Sequence, residues 1–162
     1  MKCLVLGIGN LLLGDEGVGV HALHALAEQV WPDEVELFSA GTALLDALPS
    51  LEKADHVIIV DAMRADHTPG TIYRVPLDEC DFNRPIASLH GLDIGNVLAL
   101  SGRKTLPEVI VIGIEPAVID WSLQLSPPVE RALPDLLTAI KKEIVRTKGL
   151  NQDPNDRGGA SP

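Results

Sequence analysis

The chain alternates short apolar runs with amphipathic stretches. Residues 3–8, 57–60 and 109–114 are continuous, rich in β-branched side chains and bounded by glycine, proline or charge. Strands buried on both faces read this way. Residues 35–38 and 71–75 are shorter and more alternating, and are expected nearer the sheet edges. Between them, residues 16–30 place Val18, Ala22, Leu26 and Val30 on one helical stripe, with His21, His24 and Glu28 on another. Residues 42–53 and 92–101 read as two further helices. The last helix starts around Pro127-Pro128, with Val129, Leu133, Leu136, Ile140 and Ile144 as its buried stripe. Pro134 inside that stripe predicts a kink or a fresh helix start.

Strands alternating with helices imply an α/β fold, here a single three-layer domain with a mostly parallel sheet covered on both faces. Its 162 residues can bury a real core. The domain is expected over residues 1–148. Residues 151–162 lack any large apolar anchor, and 149–162 are expected to be a disordered tail.

Composition narrows the function. A formal net charge of −10 with only 3% aromatic residues argues against a nucleic-acid surface, which needs lysine, arginine and stacking rings. No apolar run approaches the roughly 20 residues that span a bilayer. The amino end lacks a small-residue cleavage pattern, so no export signal is read. Cys3 and Cys80 form no C-x-x-C pair, and a reduced cytoplasmic setting is expected.

In sheets of this kind the site lies outside the carboxyl ends of the strands. There the chain places Asn10, Asp15 and Glu16 after the first run, Asp61 after residues 57–60, His90 before a helical pattern, and Glu115-Pro116 after the fifth run. The glycines of GIGNLLLGDEGVG, residues 7–19, suggest a phosphate cradle at first sight. A dinucleotide turn G-x-G-x-x-G would need glycine at position 12, where this chain has Leu12. No Gly-Lys-Ser/Thr follows, and Asp15 and Glu16 would repel a phosphate.

Glu16, Asp61 and His90 are the candidate set. Two carboxylates and an imidazole suit a divalent transition metal and leave coordination positions open. Each residue also has a structural reading. Asp15 suits a helix N-cap, Glu16 favours the helix dipole, Asp61 can bond turn amides, and His90 can be a satisfied interior group. His21 and His24 read as solvent-facing, with a second metal site as the alternative. Cys80 sits in the acidic run 78–81, which raises its pKa and disfavours a cysteine nucleophile.

The ordered set of GIGNLLLGDEGVG, AGT at 40–42, VDA at 60–62, a Pro-Gly turn at 69–70, SLHGL at 88–92 and GIEP at 113–116 resembles the maturation endopeptidases of nickel–iron hydrogenases, over roughly residues 2–145. The resemblance implies a twisted five-stranded sheet between helices. It also implies a cytoplasmic protease that removes a C-terminal extension from the hydrogenase large-subunit precursor after nickel insertion. Glu16, Asp61 and His90 match the family's metal-contacting positions, and the same three are the expected catalytic groups. The nickel would belong to the substrate, with no permanent metal held by the protease. A monomer is expected, with the nickel-loaded precursor as partner and neither nucleic acid nor membrane. One position departs from the pattern: many relatives carry an aspartate where this chain has Ser39, which cannot be charged. A non-hydrolytic nickel-site chaperone for the same large subunit is the alternative reading.

Overall fold

The computed structural model describes residues 1–80 and 91–149. Five strands form one sheet in the order β2-β1-β3-β5-β4. They are β1 (Cys3–Ile8), β2 (Val35–Gly41), β3 (His56–Ala62), β4 (Ile72–Pro76) and β5 (Glu108–Ile114). The β1–β2, β1–β3 and β3–β5 pairs are parallel, and β4 joins β5 antiparallel. The two shorter, more alternating runs are therefore the two edge strands, as their pattern predicts.

Alternation within the three central strands divides the core between two faces. Cys3, Val5, Ile58, Val60, Ile110, Ile112 and Ile114 pack with helices α1 (Val18–Ala27) and α4 (Pro127–Gly149). Leu4, Leu6, Ile8, Val57, Ile59, Val109 and Val111 face the opposite layer. That layer holds a 3-10 turn at Leu44–Ala47, the single-turn helix α2 (Leu48–Leu51) and α3 (Gly91–Leu100). Both faces are covered, so these strands read as unbroken apolar runs.

Helix α1 sits unusually close to the sheet. A Cβ on Gly19 would overlap the carbonyl oxygens of Ile8 and Val60, so only glycine lets the helix settle between β1 and β3.

Three local expectations change. The first helical stretch opens with a 3-10 turn at Gly14–Gly17 and ends at Ala27, leaving Val30 fully exposed. The Trp31 indole N–H caps its end by donating to the Leu26 carbonyl at 2.8 Å. Residues 42–53 form only the 3-10 turn and α2, because Pro49 is accommodated only in a first turn. Conversely, Pro134 starts no new helix: α4 runs through it. Full burial of Val129, Leu136 and Ile140 on either side offsets the backbone hydrogen bond that proline forfeits. Among the described residues, no helix is long and apolar enough to cross a membrane.

Candidate active site

The strand order locates the site. From β1 the chain moves outward to β2, then returns to β3 on the other side of β1. The carboxyl ends of β1 and β3 thus flank the topological switch point, where helix connections diverge and leave a crevice. Glu16 lies in the 3-10 turn following β1, and that turn packs against β3. Asp61 lies at the end of β3 itself. Two of the three candidate groups are therefore brought to one switch point. His90 lies outside the described residues.

Asp15, Glu16, Asp61 and Glu115 lie at this end of the sheet, and their surroundings sort them. Asp15 is fully buried and accepts four hydrogen bonds. Its Oδ2 takes the Ala117 N–H at 2.8 Å, the Val118 N–H at 2.9 Å and the Ser126 hydroxyl at 2.7 Å. Its Oδ1 takes the Ser126 N–H at 2.7 Å. A carboxylate offers about four acceptor sites, so Asp15 is committed to holding the loop between β5 and α4. The N-cap reading of Asp15 is corrected here: Gly17 precedes α1, and no side chain caps that helix.

Glu115 is committed in the same way to the loop between β3 and β4. Its Oε2 accepts the Ala65 N–H and the Tyr73 hydroxyl, each at 2.7 Å. Burial first, and this carboxylate second, push the Tyr73 phenol well above its usual range. His67 Nδ1 meets the same phenol oxygen at 3.1 Å. The buried Asp15 and Glu115 therefore brace two of the loops that frame the crevice.

The other two follow β1 and end β3. Asp61 is fully buried at the strand end, with its Oδ1 accepting the Ala62 N–H at 2.8 Å. Glu16 is half-buried in the turn that follows β1. Gly9 supports Glu16 from below. Its φ is +129°, and a Cβ there would overlap the Glu16 carbonyl oxygen, so the turn closes down on a bare backbone.

The remaining candidates separate clearly. Cys80 is buried, and its thiol pKa is raised by burial first and by Asp78 and Glu79 next. A cysteine nucleophile is thereby disfavoured. His24 is exposed as expected, but His21 is only partly so, and its Nε2 is buried without a hydrogen-bond partner. Ser39 is exposed near the end of β2, and Gly41 joins this loop to the first turn through Gly9 N–H donating to its carbonyl at 3.0 Å. The turn that follows starts from Ala43 without a side-chain cap.

Sequence reasoning placed Asp15 and Glu115 at the rim but missed what they hold. Their partners lie 102 to 111 residues away for Asp15 and 42 to 50 for Glu115, so no local pattern signals them.

A doubly wound α/β domain with a carboxylate on each side of its switch point is the class that fold and geometry define. Comparison with known proteins makes this specific. The profile of the hydrogenase maturation protease family matches residues 20–143. The hydrogenase 2 maturation protease of Escherichia coli K12 is 35% identical over 155 residues, covering 90% of this chain and 94% of the relative. A putative hydrogenase maturation protease of Methanocaldococcus jannaschii is 33% identical, covering 86% and 96%. The solved hydrogenase maturating endopeptidase HybD of E. coli superposes with a TM-score of 0.78 at 31% identity, over 91% of this chain and 94% of that one. The chain belongs to the hydrogenase maturation protease family.

Proposed function

We propose that this protein is a cytoplasmic endopeptidase that removes the C-terminal extension of a nickel–iron hydrogenase large-subunit precursor once nickel has been inserted. Glu16, Asp61 and His90 meet the nickel carried by that substrate. The observation supporting this reading is the switch point, where the β1 turn presents Glu16 and the end of β3 presents Asp61. Family membership supplies the reaction class, hydrolysis of a peptide bond.

The division among the carboxylates gives the chemistry its shape. Asp15 and Glu115 hold loops, and Glu16 and Asp61 are the groups assigned to the chemistry. Facing a partly coordinated divalent ion, they offer negative charge and lone pairs, and His90 adds a neutral imidazole donor. Without the ion, docking would bring the acidic rim no compensating charge. Nickel thereby serves as the recognition element, and cleavage waits for its insertion. The substrate's ion polarises the scissile carbonyl or acidifies a bound water. Glu16 or Asp61 takes a proton from the attacking water as oxygen bonds to the carbonyl carbon. The C–N bond then breaks, and the proton goes to the departing amine.

The test compares nickel-loaded with nickel-free precursor. Cleavage of the loaded form alone is expected; equal cleavage of both, or of neither, contradicts the reading. The alternative of a non-hydrolytic chaperone draws on Ser39, which leaves the β2 loop without the acidic group many relatives place there. Tight binding to the loaded precursor without any processed product over long incubation would favour it.

A further inference from the structure

We propose that Leu12, Val118, Trp121 and Leu123 form a rigid apolar platform on which the precursor protein docks beside its metal centre. The proposal rests on the function argued above and adds the surface that recognises the substrate's folded body.

Four large apolar side chains stand in water on two adjoining loops. Trp121 is 78% exposed, Leu123 66%, and Leu12 and Val118 50% each. Backbone pairing brings them together. Leu13 and Ser122 form a parallel bridge, which sets Leu12 alongside Trp121. The Ser122 N–H donates to the Leu12 carbonyl at 3.0 Å, and the Gly14 N–H to the Ser122 carbonyl at 2.8 Å. Asp15 N–H donates to the Val118 carbonyl at 3.1 Å, while the Asp15 carboxylate binds Ala117, Val118 and Ser126 from within. Such a patch exposes on the order of several hundred Å² of apolar surface, the size that marks interaction sites.

Two features identify the occupant. The platform is continuous with the proposed site, because Leu12 to Gly14 lead directly into the turn carrying Glu16. An apolar surface bordered by Glu16 fits a protein partner whose own apolar surface adjoins a cation. The platform's backbone is also pre-organised: the buried Asp15 carboxylate ties down both ends of the loop that carries Val118, Trp121 and Leu123, so docking orders little additional backbone. Tryptophan in such a patch is among the residue types that most often dominate association.

The experiment uses the full chain and its cognate nickel-loaded precursor, measuring binding by calorimetry and cleavage as separate kcat and KM. Trp121→Ala and Leu123→Ser are compared with Val145→Ala, an exposed apolar position on α4. Trp121→Ala should weaken binding and raise KM by about 30-fold with kcat retained at saturation. Leu123→Ser should act in the same direction, and Val145→Ala should change neither. If wild type cleaves but both platform variants bind and cleave as wild type does, the platform is overturned while the proposed function stands. A fall in kcat at saturation with unchanged KM also overturns it, as a support role for the site would give that result. Wild-type self-association that Trp121→Ala abolishes assigns the patch to a second copy and overturns it. If wild type neither binds nor cleaves the precursor, the functional reading fails and the platform with it.

Discussion

Asp15 and Ser126, 111 residues apart, share two hydrogen bonds of 2.7 Å, from the serine N–H to Oδ1 and from its hydroxyl to Oδ2. Ser126 immediately precedes α4. This contact makes the turn after β1 and the loop after β5 one mechanical unit, and Glu16 adjoins its pivot. The position of the candidate catalytic group therefore depends on a segment far away in sequence.

Asp15→Asn should destabilise the fold substantially. An amide has one acceptor oxygen and brings an NH2 group up against donors, leaving buried N–H or O–H groups without partners. At about 1–3 kcal/mol for each unsatisfied group, a total loss of about 2–4 kcal/mol is expected, read from urea unfolding midpoints. A midpoint within error of wild type would show that the loop does not need the charge.

Glu16→Gln and Asp61→Asn should separate activity from stability. Both substitutions keep size and remove charge. Processing of the loaded precursor should fall by about 100-fold or more. Glu16→Gln should leave stability within about 1 kcal/mol, because the side chain is only half-buried. Gel-resolved processing together with thermal unfolding decides the matter; full activity in either variant removes that residue from the mechanism.

The strands were legible in the sequence because burial on both faces leaves unbroken apolar runs, and the edges because half-exposure restores alternation. The switch point followed, and with it the placement of Glu16 and Asp61. The exact helical segments did not. Pro49 shortened one predicted helix to a single turn, whereas Pro134 was absorbed by α4 since the residues around it bury so well. The structural roles of Asp15 and Glu115 depend on loops distant in the chain, beyond any periodicity. His90, read from its position before a helical pattern and then matched to the family's metal-contacting histidine, lies outside the described residues, so its assignment rests on sequence alone.

Gly9→Ala tests how the turn holds Glu16. The φ of +129° disfavours any side chain, and the added Cβ would overlap the Glu16 carbonyl. Strain and clash together should cost about 3 kcal/mol or more and, in whatever fraction folds, displace Glu16 and reduce cleavage. Thermal unfolding and the processing assay read the two effects. Wild-type values in both would mean that the turn relaxes without moving its carboxylate.

His21 should make the fold acid-sensitive, and the sign follows from its surroundings. Burial first and the neighbouring His24 charge second hold its imidazole pKa below the ordinary value, while the Leu123 backbone pushes weakly the other way. The folded chain therefore binds fewer protons at this site than the unfolded chain. Above the unfolded value of about 6.5 both forms are neutral, and the stabilising contribution is fully present. As pH falls below that value the unfolded chain protonates first, and stability declines until the pH has passed the lower folded-state pKa. His21→Gln removes this term, so its unfolding midpoint should fall less steeply than that of wild type between pH 7.5 and the acid limb. The two slopes, measured in parallel by urea unfolding, cancel the contributions of all other groups. Parallel curves would show that the His21 ring charges in the folded protein as readily as in the unfolded one.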